Sequence, residues 1–156
     1  MAEDQGLAQR TRILVLYALG ASHLADQDIY VLGNNDMRQL LDPSRFEVDR
    51  LILRPERLDA IMAMDFSPYQ VIINAVSDPD LNAEGLALAA TFCAQFDRPV
   101  INHPERIQDT GRDQVAASLA GIAGLTVPPV WQRTGADLRM QAGDDRFPWP
   151  LLLRPA

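Results

Sequence analysis

The sequence predicts an α/β fold, a central parallel sheet with helices on both faces. Residues Arg12–Leu19 and Val71–Val76 are almost continuously apolar, as strands are when a parallel sheet is covered on both faces. Helical segments separate the predicted strands, and this strand–helix–strand order requires right-handed crossover connections. We therefore expect these two strands to lie parallel in the middle of the sheet.

Two further segments complete the predicted sheet. Residues Phe46–Leu53 alternate more between apolar and polar side chains, which is typical of an edge strand. Residues Pro99–Asn102 form a short fourth strand. A helix over Pro55–Met64 fits between the second and third strands, and its apolar face consists of Leu58, Ile61 and Met62. The resulting architecture is Rossmann-like.

The longest predicted helix follows the third strand. Asp78 and Pro79 are typical of an N-cap followed by a proline at the first helical position. The helix runs to about residue 96, and its apolar stripe consists of Leu81, Leu88, Phe92 and Phe96. Cys93 lies in the same stretch, where a buried structural thiol is a better interpretation than a nucleophile.

A further amphipathic helix is predicted near residue 110. It starts at Thr110, with Asp113 three residues later in a capping box, and it stops at Gly124. The residues that it is expected to bury are Val115, Leu119 and Ile122. A short helix near Ala136–Ala142 follows.

The composition restricts the classes of partner. Fourteen Lys and Arg against twenty-one Asp and Glu give a net charge of −7, which disfavours binding to nucleic acid. The N-terminus lacks the apolar segment of a secretory signal, and no apolar run reaches the ~20 residues of a membrane span. One cysteine and two histidines, without metal-ligand spacing, predict no metal site. We expect a cytoplasmic protein that binds neither nucleic acid nor a membrane.

Candidate ligand-binding residues follow the strands, because open parallel sheets bind ligands at the carboxyl ends of their strands. They are Asn74, Asn102, His103 and Arg106. At each asparagine the amide could bind a ligand or could tie down the following turn, and the sequence leaves both roles open. Ser77 and Asp78 are better explained as helix caps, so we assign no catalytic residue.

Other sequence signals are weaker. The segment Gly20–Asn35 after the first strand has no clear periodicity, and a functional loop and a short helix are equally good interpretations. No GxGxxG motif follows the first strand, and no GxxxxGK[ST] motif occurs in the sequence. The dinucleotide fingerprint and the P-loop are therefore excluded.

Four segments in the last third of the chain follow one another in an informative order. They are Val100–Asn102 (VIN), the helix over Gly111–Ala123, Val127–Pro129 (VPP) and Pro150–Pro155 (PLLLRP). In this order they resemble the junction that leads into the catalytic half of ATP-grasp ligases. The combination is most similar to the ATP-grasp-like region of bacterial tetratricopeptide-repeat proteins, although the sequence contains no such repeat.

The resemblance implies a domain organisation and a function. Residues 1–124 would be a pre-ATP-grasp domain, and the short C-terminal extension 125–156 would begin a truncated ATP-grasp domain. The full-length protein would be a carboxylate–amine ligase that uses ATP and Mg²⁺, with its remaining ATP-grasp domain as the partner of this chain. Alone, the chain would bind no cofactor and complete no reaction. Arg154 would contact the nucleotide, and the substrate side of the cleft would comprise Asn74, Asn102, His103 and Arg106.

Two positions depart from the family's pattern. Arg112–Asp113 reverses the charge order of the family's "dK" pair, and Arg154 replaces a lysine with a guanidinium of different geometry.

The apolar segment Leu151–Leu153 predicts a strand that pairs with Val127–Gln132 or with a second copy in a homodimer. The alternatives are a non-catalytic interaction module and a free-standing small-molecule-binding domain of the same fold.

Overall fold

The chain forms two compact units, Met1–Thr110 and Gly111–Ala156. The helix near residue 110, which the sequence placed in the first domain, belongs to the second unit. The computed structural model describes residues 10–18, 38–131, 133–141 and 152.

A four-stranded sheet forms the centre of the first unit. Its strands are β1 (Thr11–Ala18), β2 (Phe46–Leu53), β3 (Val71–Asn74) and β4 (Val100–Ile101). They lie in the order β2-β1-β3-β4, and every pair of neighbours is parallel. The parallel α/β sheet is therefore confirmed, with the two continuously apolar strands inside and the alternating strand at an edge.

Short helices connect the strands. In the first unit they are α1 (Leu58–Met62), α2 (Ala83–Cys93) and α3 (Pro104–Gln108), with 3₁₀ turns at Arg38–Leu40 and Pro55–Arg57. The second unit contains α4 (Arg112–Leu119) and α5 (Gly135–Gln141), and α5 confirms the short helix predicted there. Of the helices described, none has the length and apolarity needed to cross a membrane.

Both faces of the sheet are buried. On one face, Leu14, Leu16 and Ile72 pack against side chains of α1 and α2, namely Ile61, Leu86, Ala89 and Phe92. On the other face, Ile13, Val15, Tyr17 and Ile73 form a second cluster against which Leu41 packs. Leu41 lies in the connection from β1 to β2. Residues 19–37 of that connection, and with them the whole of the predicted Gly20–Asn35 segment, lie outside the described residues. Continuous apolarity in β1 follows from this two-sided burial.

The start of α2 differs from the prediction. The helix begins at Ala83 with Asn82 as its N-cap, so the predicted start at Asp78–Pro79 is wrong. The Asp78 carboxylate instead accepts the backbone N–H groups of Asp80 and Leu81, at 3.0 and 3.2 Å, and forms a separate turn before the helix. Asp78 and Asn82 both satisfy the local rule for an N-cap. The helix starts after Asn82, whose amide also binds the Ala18 oxygen at the end of β1.

The helix α4 also differs from the prediction. It begins at Arg112 after an N-cap, Gly111, that makes no side-chain bond, so the predicted capping box at Thr110 and Asp113 is not formed. It ends at Leu119, and Gly124, with φ +82°, lies in a later turn. The expected burial is wrong as well, because the exposed fractions are 39% for Val115, 37% for Leu119 and 52% for Ile122.

A polar cluster lies near the amino ends of the strands. The Arg12 guanidinium contacts Asp49 at 2.8 Å and Glu47 at 3.4 Å, and it lies 5.1 Å from the ring centre of Tyr69. The Tyr69 hydroxyl donates to the same Asp49 carboxylate at 2.9 Å. Burial and this bond raise the pKa of Tyr69. The cluster joins the edge strand β2 to β1 and to the turn before β3.

Candidate functional site

The carboxyl ends of the strands form the candidate site. From β1 the chain passes to β2 on one side, and from β3 it passes to β4 on the other, so β1 and β3 flank a topological switch point. Ligands of open parallel sheets bind at such a point, because the two connections diverge and leave a crevice. The described residues at this edge are Ala18, the segment 74–78 after β3, and the segment 102–106 after β4.

Asn74 ends β3 and is fully buried. Its amide nitrogen donates to the backbone oxygens of Val76 and Asn102, each at 2.9 Å. Its Oδ1 accepts the N–H of Val76 at 3.1 Å. Of the two roles that the sequence left open, these bonds correspond to tying down backbone, and they connect the turn after β3 to the turn after β4.

Asn102 has a different environment. Its side chain is exposed, and its φ of 56° lies in the left-handed region, where asparagine is among the better tolerated residues. This backbone conformation turns the chain directly after β4 and presents the carbonyl that Asn74 binds. Asn102 is therefore held through its backbone, while its amide side chain remains on the surface of the edge.

His103 and Arg106 follow in the same turn. His103 is the N-cap residue of α3, its backbone oxygen accepts the N–H of Arg106 at 3.0 Å, and its ring is 3.9 Å from Glu105. The Arg106 side chain is exposed in the last turn of α3. A guanidinium can bind a carboxylate or a phosphate through two parallel hydrogen bonds. Three predicted residues, Asn102, His103 and Arg106, thus share one short segment.

Asn82 is a structural residue of this edge that sequence reasoning missed. It is buried, its amide nitrogen donates to the Ala18 oxygen at 2.9 Å, and its Oδ1 caps α2 by accepting the Gly85 N–H at 3.0 Å. It therefore fixes the end of β1 to the start of α2. The signal was present in the sequence, because an asparagine followed two residues later by Glu84 satisfies the rules for a helix start.

Cys93 is not suited to nucleophilic chemistry. It is buried in the core beside Phe92, as the sequence predicted. Burial, with a smaller contribution from Glu105, raises the pKa of its thiol to about 11. At neutral pH the thiolate, which is the reactive form, is therefore scarce.

The resemblance implies ATP and Mg²⁺ as cofactors of the full-length protein. Within that part of the chain, no three His, Cys, Asp or Glu side chains lie close enough together to hold a metal ion. Arg154, the predicted nucleotide contact, lies outside the residues described.

Comparisons with known proteins identify no relative. No protein-family model, no curated protein and no solved structure matches the chain. The fold itself defines the class of the protein, which is a parallel α/β domain with polar side chains at the carboxyl ends of its strands.

Proposed function

We propose that this chain is the N-terminal, substrate-side domain of an ATP-grasp-like carboxylate–amine ligase and is not catalytically complete alone. The observation that supports it best is the Asn102–Arg106 turn. It lies at the carboxyl end of β4, and Asn74 anchors it to the end of β3. An exposed amide, an imidazole and a guanidinium on an anchored turn suit an acyl substrate that carries a carboxylate.

The role of each residue follows from its placement. Arg106 binds the substrate carboxylate, and Asn102 and His103 donate or accept hydrogen bonds to its remaining polar groups. Asn74 holds the turn. The remaining ATP-grasp domain supplies ATP, Mg²⁺ and the chemistry of the acyl phosphate, and it closes over this edge as the partner of the chain.

A titration tests the substrate side. We expect free amino acids and dipeptides at millimolar concentration to shift the NMR signals of backbone amides at residues 102–107. Arg106→Ala should weaken this binding about 10- to 100-fold, because a charged hydrogen-bond pair contributes about 1.5–3 kcal/mol. Arg98→Ala is the matched control, since Arg98 is also exposed but precedes β4 at the opposite edge. Equal losses in both variants, or no shift at this segment, would contradict the proposed site.

The nucleotide side gives a second test. The sequence contains no glycine-rich phosphate loop, and the described part of the chain brings no three His, Cys, Asp or Glu side chains together. We expect the isolated chain not to hydrolyse ATP and to bind Mg·ATP weakly or not at all. Calorimetry that measured low-micromolar affinity for Mg·ATP would contradict this division of roles between the two domains.

One observation favours an interaction module as the second candidate. Within the second unit, Val115, Leu119 and Ile122 expose large apolar side chains, and Leu152 is exposed as well. Val115 and Leu119 lie four residues apart, on one face of α4, and adjoining exposed apolar side chains are typical of protein–protein contact sites. A homodimer through this unit would raise the sedimentation coefficient with concentration, and Leu119→Glu would abolish the rise. A sedimentation coefficient independent of concentration would contradict the dimer.

A further inference from the structure

Hydrogen bonds of Asn74 and Asn82 hold the chain at three strand ends. Asn82 binds the Ala18 oxygen at the end of β1, and its own N–H donates to the Asp78 oxygen at 2.9 Å. Asp78 follows Val76 closely in sequence, and Asn74 binds both backbone groups of Val76 and the oxygen of Asn102. Both side chains are buried, so water does not compete for these bonds.

We infer that Asn74 is a positioning residue for the proposed substrate site. It holds Asn102 in its left-handed conformation and thereby sets the direction of the segment 103–106. The inference rests on the proposed function for the identity of the ligand, whereas the positioning itself can be measured without any ligand.

The bonding pattern supports this role. A residue in the left-handed region costs energy unless its surroundings hold it there, and the carbonyl of Asn102 accepts from the buried Asn74 amide at 2.9 Å. The next residue, His103, is the N-cap of α3 and accepts the N–H groups of Arg106 and Ile107. Loss of the Asn74 bond therefore releases the N-terminus of α3 together with the turn.

Hydrogen exchange of the full 156-residue chain tests the inference with two matched variants. Asn74→Asp keeps the acceptor for the Val76 N–H but loses the donor to the Val76 and Asn102 oxygens. Asn82→Asp keeps the helix cap but loses the donor to Ala18. Each places one carboxylate at a buried asparagine position. We expect Asn74→Asp to speed exchange of the Arg106 and Ile107 amides at least about 10-fold, a change of about 1.4 kcal/mol in local opening.

The pattern across the two variants decides the result. In Asn74→Asp the Leu86 amide of α2 should exchange at its original rate, and in Asn82→Asp the effect should reverse, with Leu86 faster and Arg106 unchanged. Unchanged exchange at Arg106 and Ile107 in Asn74→Asp would overturn the inference. Equal acceleration of both helices in both variants would also overturn it, because it would indicate general loss of stability.

A pair of surface variants keeps the test available if Asn74→Asp does not fold. Asn102→Gly permits the left-handed conformation without strain, whereas Asn102→Ala disfavours it. We expect the side-chain NH₂ protons of Asn74 to keep slow exchange in the glycine variant and to exchange at least about 10-fold faster in the alanine variant. Identical Asn74 signals in the two variants would overturn the inference.

A ligand titration separates this inference from the proposed function. With the amino acids and dipeptides used above, Asn74→Asp should weaken binding at residues 102–107 about 10-fold, because the buried Asn74 acts through the turn that it holds. If the unaltered chain binds none of them, the proposed function fails and the exchange experiment alone decides the positioning role. Binding that is unchanged in a variant whose α3 exchange is accelerated would overturn the positioning role.

Discussion

The helices α2 and α4 have similar apolar spacing in the sequence and opposite burial in the structure. Leu86, Ala89 and Phe92 of α2 are inaccessible to solvent. In α4 no residue is buried, and both large apolar side chains, Val115 and Leu119, are more than one third exposed. For α2 the predicted stripe was right only at Phe92, because Leu88 is partly buried and Leu81 and Phe96 lie outside the helix. Apolar periodicity also does not show whether anything covers a helix face.

Connectivity explains the difference. Because α2 connects the neighbouring parallel strands β3 and β4, a right-handed crossover must lay it on the sheet. The helix α4 follows β4, after α3, and connects no pair of described strands. Burial could therefore be predicted for α2 from the strands on either side of it, and α4 offers no such constraint.

The largest expected effect distinguishes the two helices directly. Phe92→Ala should lower the free energy of unfolding by about 3–5 kcal/mol, because the buried ring packs against Phe66 and Phe96 with centroids 5.1 and 4.6 Å away. Leu119→Ala in α4 should change it by less than about 1 kcal/mol. Urea denaturation measures both. Similar losses of unfolding free energy in the two variants would contradict the burial of Phe92 and the exposure of Leu119.

A second comparison concerns the predicted and the observed helix caps. Asn82→Ala should cost about 2–3 kcal/mol, because it removes the cap of α2 and leaves the buried Ala18 oxygen without this donor. Asp113→Ala removes a residue that the sequence assigned to a capping box. In α4 its carboxylate instead accepts the N–H of the adjacent Gln114 at 2.9 Å on the exposed surface, so we expect a loss of only about 0.5 kcal/mol. A larger loss for Asp113→Ala than for Asn82→Ala would favour the sequence-based assignment.

Because of the buried Cys93 thiol, the folded chain should lose stability at alkaline pH. Its pKa is raised to about 11 in the folded chain, so the neutral thiol stabilises the fold below the pKa of the unfolded chain, and this contribution is lost as the pH rises to 11. The loss should not exceed about 1.4 kcal/mol per pH unit. Cys93→Ala should flatten the decline between pH 9 and 11 in urea denaturation at several pH values. An equal slope in both proteins would contradict burial as the cause.

The smallest expected effect lies in the second unit. The Thr134 hydroxyl accepts the Asp137 N–H at 3.1 Å, and the Asp137 carboxylate accepts the Thr134 N–H at 3.0 Å, so α5 begins with a capping box. Thr134→Ala should weaken α5 by about 1 kcal/mol, measured as faster exchange of the Leu138 amide. Thr134→Ser, which keeps the hydroxyl, is the control and should exchange at nearly the original rate.

The same capping box should respond to acid. Hydrogen bonds from Thr134 lower the pKa of Asp137, so the ionised carboxylate stabilises the helix start above the pKa of the unfolded chain and loses this effect as the pH falls through the lowered value. In the unaltered chain, exchange at Leu138, corrected for its intrinsic pH dependence, should accelerate below about pH 4. Thr134→Ala should reduce this acceleration.

The sheet could be predicted from the sequence because the burial of a strand determines the pattern of apolar residues within that strand. The bounds of β2 agree with the prediction at both ends, and the inner positions of β1 and β3 follow from their continuous apolarity. The start of α2 could not be predicted in the same way. Asp78 and Asn82 both satisfy the rule for an N-cap, and the choice depends on the Ala18 oxygen, which is 64 residues away in the sequence.

The candidate site was predicted in part. The sequence grouped Asn74, Asn102, His103 and Arg106 at the carboxyl edge, and the structure places all four there. It could not distinguish the buried Asn74 from the exposed Asn102, because both follow apolar strands and only the strand order shows that their turns are adjacent. The roles of these residues and of Arg154 in binding stay predictions.

Gly85 restricts which sequences can adopt this fold. A β-carbon at this position would overlap the side chain of Asn82, whose Oδ1 accepts the Gly85 N–H. The two positions are therefore not free to vary independently. Any related sequence that keeps the asparagine should keep the glycine, and one with a larger residue at position 85 should have a smaller residue at position 82 and another donor for the Ala18 oxygen. Covariation of these two positions would be a signature of this strand end in sequences too distant to align elsewhere.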